Sequence, residues 1–71
     1  MNVELSKGVR IVESTQLMIV IDLRSNRYYK VRDGSLEVLR KVIMNKGKCS
    51  VGKRDLKSAR ELLRLGVIHQ L

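Results

Sequence analysis

Residues 17–31, LMIVIDLRSNRYYKV, have the clearest secondary-structure pattern in the chain. Its first half alternates with the two-residue period of a strand. Residues 24–27, RSNR, predict a tight turn in which Asn26 is best able to adopt a positive φ. Residues 28–31, YYKV, are aromatic and β-branched and predict the second strand of a hairpin. The two faces of the first strand carry Leu17, Ile19, Ile21 and Leu23 on one side and Met18, Val20 and Asp22 on the other.

Weaker signals on either side of the hairpin complete the predicted topology. Residues 1–7 are expected to form a loose lead-in, and residues 9–12, VRIV, predict a strand before the hairpin. Two amphipathic helices follow. The first is capped by Ser35 and ends before Gly47; the second is capped by Asp55 and ends at Gly66 in a left-handed conformation. Residues 48–54, KCSVGKR, fit either a loop or a single helical turn.

These elements predict an α+β fold, winged-helix-like, with a three-stranded antiparallel sheet followed by two or three helices. A chain of 71 residues has room for one core, so a single domain is expected. Because the predicted hairpin is followed only by helical sequence, at least one strand edge has no predicted partner. Such an edge could also pair with a second copy of the chain as a weak homodimer.

The composition is strongly basic. Fifteen Lys and Arg against seven Asp and Glu give a formal net charge of +8. This charge favours a polyanionic partner, whether nucleic acid, an anionic membrane or an acidic peptide, although a well-solvated basic surface gives the same composition. The single cysteine, Cys49, fits a reducing compartment. With no signal-peptide pattern and no long apolar run, we expect a cytoplasmic protein without a membrane partner.

No set of residues predicts catalysis. His69 is the only histidine and Cys49 the only thiol, whereas a structural zinc site uses four nitrogen or sulfur ligands. The acidic residues are scattered among bases, and the glycines are isolated, so neither an acid–base pair nor a phosphate-binding loop is indicated. We therefore predict a protein that is not an enzyme, with no catalytic residue, no metal site and no cofactor.

Two modes of binding remain. In the first, the last helix contacts DNA through phosphate-binding side chains, although a solvated helix face gives the same pattern; these side chains are Lys53, Arg54, Lys57 and Arg60. In the second, an extended peptide adds to the open edge of residues 28–31. The last helix would then wall the groove with Ala59, Leu62 or Leu63, which are equally suited to a core. Rim charges that select the partner would be Arg27, Lys30 and Arg60.

A resemblance to a known family favours the second mode, the addition of a peptide to a strand edge. Residues 21–31, IDLRSNRYYKV, resemble the LDLRSGRYYRLN segment of PqqD-like proteins, the RiPP recognition elements, and are most similar to the small standalone members of lasso-peptide biosynthesis. Residues 35–39, SLEVL, lie where that family begins its first helix, and residues 61–68, ELLRLGVI, are similar to its closing ELLERGLI pattern. The resemblance covers residues 9–68.

The resemblance implies a non-catalytic protein that binds the leader of a ribosomally made precursor peptide. The leader would add to the third predicted strand, against the last helix, and pass to a cysteine-protease leader peptidase and possibly the cyclase; nucleic acid would not be a partner. By position, the peptide-binding residues are Tyr28, Tyr29, Lys30, Val31, Leu56, Ala59, Arg60 and Leu63, with Arg27 at the rim.

The chain departs from the family pattern at three points. Asn26 replaces a glycine in the turn, Arg32 replaces an asparagine after the third strand, and residues 48–54 leave little space for a middle helix. A small DNA-binding regulator of the winged-helix type is the alternative function. A structural adaptor that docks another protein through the same strand edge is a third.

Overall fold

The computed structural model describes all 71 residues and has a mixed α+β architecture with two three-stranded antiparallel sheets. One sheet has the strand order β2-β3-β4 and the other has the order β5-β1-β6. Neither helix is both long enough and apolar enough to cross a membrane. The elements are β1 (Asn2–Leu5), β2 (Val9–Glu13), β3 (Met18–Asp22), β4 (Arg27–Val31), α1 (Asp33–Met44), β5 (Lys48–Ser50), a 3₁₀ turn (Lys53–Asp55), α2 (Leu56–Leu65) and β6 (Ile68–Gln70).

The predicted meander is confirmed. Strands β2, β3 and β4 pair in sequence order, and the register places Val20 opposite Tyr29 and Asp22 opposite Arg27. Asn26 adopts a positive φ of 56° in the turn, as its short polar side chain allows. Alternation over one strand and the turn chemistry beside it are both local signals, which is why the sequence could predict this hairpin.

The expectation of a loose lead-in at residues 1–7 is wrong. Strand β1 is the central strand of the second sheet and pairs with β5 on one side and β6 on the other. Val3 lies opposite both Cys49 and Gln70, and its side chain is fully buried. A strand of four residues has almost no periodic signal of its own, and its partners are more than 40 residues away in sequence. The same pairing makes residues 48–50 a strand.

The helix ends were predicted with mixed success. Ser35 does not cap α1, because the helix begins two residues earlier, at Asp33, and has no side-chain capping bond. Asp55 lies at the cap position of α2 but also makes no capping bond; its carboxylate accepts a hydrogen bond from Lys41 Nζ at 2.8 Å. Gly66 ends α2 with a φ of 77°, as predicted, and the Val67 amide donates to the Leu62 carbonyl at 3.0 Å.

One hydrophobic core joins both sheets and both helices. Its largest fully buried side chains are Met18 from β3, Leu39 from α1, Leu62 from α2 and Ile68 from β6. Only two polar residues, Ser6 and Asp22, are buried with it. The core therefore fixes β3 and α2 relative to each other, and with them the position of the edge strand β4.

Candidate functional site

Strand β4 has an open edge. It pairs with β3 on one side and with no strand on the other. No backbone group of Arg27–Val31 makes a hydrogen bond outside the β3–β4 ladder. In an antiparallel sheet, alternate residues of an edge strand point their N–H and C=O groups away from the sheet. These groups of β4 are therefore available to another extended chain, as predicted for the third strand of the meander.

Two contacts hold helix α2 near the residues that flank β4. Just beyond the end of β4, Gly34 packs so closely on Ser58 that a Cβ atom there would collide with Ser58 Oγ. At the opposite end, in the β3–β4 turn, Arg24 Nη2 donates to the carbonyl oxygen of Gly66 at 2.9 Å. The beginning of α2 therefore lies against the first turn of α1, just after β4, and the end of α2 lies against the turn that precedes β4.

Tyr29 is the residue of β4 that faces the core beside α2, and Arg64 lies in the last turn of that helix. The pKa of Arg64 is raised, chiefly by its hydrogen bonds to Glu61 and to a smaller extent by the nearby Tyr29 phenol. Tyr29 is half-buried and packs against the core, so its ring lies on the same side of the sheet as α2. Arg64 was not among the predicted site residues. Its side chain is exposed, and its hydrogen bonds run to Glu61 in the same helix.

The five predicted strand residues divide between the two faces of the sheet. Tyr29 and Val31 point inward, and Val31 is a core residue with only 4% of its surface exposed. Tyr28 and Lys30 point outward, and Tyr28 is 71% exposed. Arg27 is exposed beside the turn. The structure thus brings the backbone of all five to the open edge but places only Tyr29 between the edge and α2.

The four predicted residues of α2 differ in accessibility. Ala59 is fully buried and belongs to the core. Leu56 and Leu63 are half-buried at the margin of the core, and Arg60 is exposed. The side chains of Val31 and Ala59 are therefore inaccessible to a peptide. Only their backbone groups could contact one. A peptide-contacting role for Leu56, Arg60 and Leu63 stays a prediction.

Basic charge beside the edge lacks acidic partners within the chain. Arg27, Lys30, Lys57 and Arg60 are exposed, and none of them takes part in any ion pair of the protein. The nearest acidic residue on α2, Glu61, is already paired with Arg64, which lowers the pKa of its carboxyl group. The rim of the candidate site is thus positive.

Arg24 holds the strand and the helix in place. Its guanidinium donates to both carboxylate oxygens of Asp22, at 3.0 and 3.1 Å, and to Gly66 as described above. The hydrogen bonds from Arg24 lower the pKa of Asp22, whose side chain is only 9% exposed. From the sequence alone, Arg24 is predicted only as a residue of the turn. The Asp-x-Arg spacing around a strand end was the available signal for this interaction.

The remaining chemical groups do not form a reactive set. Cys49 on β5 and His69 on β6 lie on opposite sides of β1, so two interstrand spacings, roughly 10 Å, separate their backbones. No three His, Cys, Asp or Glu side chains come together as a metal site. One shallow depression lies away from β4, and its lysines already pair with Asp55 and Glu4; it is lined by Asn2, Lys41, Asn45, Lys48, Cys49, Ser50 and Leu71.

Comparison of the chain with protein-family models, with curated proteins and with solved structures gives no match.

Proposed function

We propose that this chain binds the leader region of a ribosomally synthesised precursor peptide by strand addition to β4. It would be a winged-helix-like RiPP recognition element of the lasso-peptide type, without catalytic activity. It would deliver the leader to a leader peptidase and to the enzymes that modify the peptide. The observation that carries the proposal is an open edge strand with a helix held near both of its ends, in the segment that resembles this family.

In this proposal the peptide becomes the fourth strand of the β2-β3-β4 sheet. Its backbone pairs with the outward N–H and C=O groups of β4, which fixes its register. Its side chains then alternate between the two faces. Those on the inner side contact Tyr29, Leu63 and Leu56, and those on the outer side contact Tyr28 and Lys30.

Backbone hydrogen bonds and buried side chains would contribute differently to the binding free energy. Each backbone hydrogen bond contributes about 1 kcal/mol net, because the same groups bond to water in the free state. Full burial of one aliphatic or aromatic anchor contributes about 1.5–3 kcal/mol. One or two anchors between Tyr29 and Leu63 would therefore decide which peptides bind. The unpaired charges of Arg27, Lys30 and Arg60 favour an acidic leader and mainly accelerate its association.

The first experiment tests strand addition itself. A labelled leader peptide, from a precursor encoded beside this gene, is titrated with the protein by fluorescence anisotropy. A series of the same peptide then carries a single N-methyl group at each successive residue. We expect a loss of affinity at every second residue of the bound segment, because only alternate peptide N–H groups point at β4. Uniform tolerance of N-methylation, or no binding of the unmodified peptide, would contradict the proposal.

A pair of neighbouring leucines tests the side-chain contacts. Leu63→Ala should weaken leader binding about tenfold while retaining most of the stability, since Leu63 is half-buried. Leu62→Ala should instead lower the free energy of unfolding by about 2–5 kcal/mol, because Leu62 is 1% exposed in the core. Met44→Ala, at an 82% exposed position of α1, is the control that should change neither. Equal leader affinity for Leu63→Ala and the control would exclude α2 from the site.

A DNA-binding regulator is the second candidate, because exposed basic side chains cluster at the beginning of α2. Lys53, Arg54 and Lys57 are exposed there and make no ion pair. A random DNA duplex titrated at low and high salt distinguishes the candidates. Phosphate contacts give an affinity that falls steeply with salt. Tight duplex binding together with no leader binding would favour the regulator.

A further inference from the structure

The outer face of the β2-β3-β4 sheet is apolar at its centre and basic at its margins. The register places six outward side chains in two rows of three. One row is Arg10–Ile21–Tyr28 and the other is Val12–Ile19–Lys30. Val12 is 55% and Tyr28 is 71% exposed, so neither helix covers this face. We refer to these six residues as the outer face.

Strand β3 does not bury the more hydrophobic of its two faces. Residues 17–23 have one face with four aliphatic residues, two of them within β3, and another face that ends in a carboxylate. Hydrophobicity alone favours burial of the aliphatic face, yet the protein buries Met18, Val20 and Asp22 and leaves Ile19 and Ile21 half-buried on the outward side of the sheet. Burial of Asp22 is tolerated because Arg24 neutralises it. An exposed apolar patch rimmed by polar groups is typical of a protein interaction site.

The charges of the outer face indicate what kind of partner fits. Among its six side chains there are two bases and no acid. The nearest carboxylates are occupied, since Glu13 pairs with Arg40 and Asp22 with Arg24. A second copy would place its own Arg10 and Lys30 against the same residues, and like charges across an interface are unfavourable. The complementary partner has an apolar centre and carboxylates at its rim.

We propose that the outer face docks the protein that receives the bound leader, through an apolar and acidic surface of that protein. This inference rests on the proposed function, which names the recipient as the leader peptidase. A peptide added to β4 would extend the same sheet, so its outward side chains would lie next to Tyr28 and Lys30. A partner seated on the outer face therefore contacts the leader and the sheet together. The face includes a tyrosine and an arginine, two residue types that are enriched at protein interfaces.

The test uses substitutions of outward side chains on β2 and β3. The double variant Ile19→Thr/Ile21→Thr removes apolar surface but keeps β-branched residues. Arg10→Glu reverses one charge of the face on β2, the strand farthest from β4. Binding of the leader peptidase is measured by isothermal titration calorimetry, and leader binding by anisotropy. Met44→Gln, an exposed apolar position on α1, is the matched control.

We expect each outer-face variant to weaken peptidase binding at least about tenfold, while leader affinity stays within about twofold. The control should leave both affinities unchanged. Peptidase binding that is unaffected by both variants would overturn the inference and leave the proposed function standing. No leader binding by the unmodified chain would overturn the proposed function first. Gel filtration with light scattering at low and high salt completes the test, since a dimer at high salt that the double variant abolishes would assign the face to a second copy.

Discussion

At the scale of single residues, Arg24 has the largest number of structural roles. It forms two hydrogen bonds with the Asp22 carboxylate and one with the carbonyl of Gly66. Its aliphatic stem also packs against Gly8, where an added Cβ would lie 2.9 Å from Arg24 Cγ. One side chain thus joins the loop before β2, the β3–β4 turn and the end of α2. Its hydrogen bonds hold the turn that precedes β4 against the end of α2.

The Asp22–Arg24 pair predicts a pH dependence of stability. The pKa of Asp22 is lowered in the folded protein by its hydrogen bonds to Arg24, so folding favours the ionised carboxylate. Its contribution is fully present above the unfolded pKa of about 4 and is lost as the pH falls through the lower folded pKa. Asp22→Asn should therefore be less stable than the wild type at pH 7, with the difference shrinking toward pH 2. Urea unfolding at several pH values measures this.

The exposed pair Glu61–Arg64 serves as the control for that experiment. It shares the direction of the pKa shift, but both side chains are at least half exposed, so water screens it. Glu61→Gln should change stability much less than Asp22→Asn at pH 7. If the two variants lost the same stability, burial of the Asp22 carboxylate would not be the source of the effect.

At the scale of elements, the left-handed end of α2 sets the direction in which the chain leaves the helix. Gly66 has a φ of 77°, and the amide of Val67 bonds back to Leu62. This turn directs Val67 and Ile68 into the core and begins β6. The end of the helix, the Arg24 contact and the last strand of the second sheet therefore depend on one backbone conformation.

Gly66→Ala should lower the free energy of unfolding by about 1–2 kcal/mol, because a residue with a Cβ is strained in the left-handed region. Gly52→Ala is the matched control, since Gly52 has a negative φ and open space around the position of a Cβ atom. That variant should be neutral or slightly stabilising. Thermal unfolding followed by circular dichroism compares the two. Equal effects would mean that the conformation of Gly66 is not what limits stability.

The same elements explain what the sequence could predict and what it could not. The hairpin and the Gly66 helix end depend on neighbouring residues, so their patterns were sufficient. The segments at the candidate site, β4 and α2, were predicted as well. The side on which each residue points was not, because alternation separates Tyr28 from Tyr29 without indicating which one faces the core. The second sheet was missed because strands of three or four residues acquire their structure from partners distant in sequence.

At the scale of the whole molecule, β1 connects parts of the chain that no other element brings together. It pairs with β5, which follows α1, and with β6, which follows α2. Further backbone hydrogen bonds run from Leu5 to Gly47 at 2.8 Å and from Ser6 to Val67 at 3.0 Å. The ends of both helices are therefore fixed through the first seven residues, and the position of α2 beside β4 depends on them.

Two substitutions and one deletion test whether β1 contributes to the stability of the fold. Val3→Ala should lower the free energy of unfolding by about 2 kcal/mol, because Val3 is fully buried and its truncation leaves a cavity. Asn2→Ala, at an exposed position of the same strand, should have little effect. Deletion of residues 1–5 should abolish cooperative thermal unfolding, since β5 and β6 would each lose their only strand partner. A truncated chain that unfolds cooperatively at the wild-type temperature would show that these residues do not contribute to the fold, and that α2 is held beside β4 by the core alone.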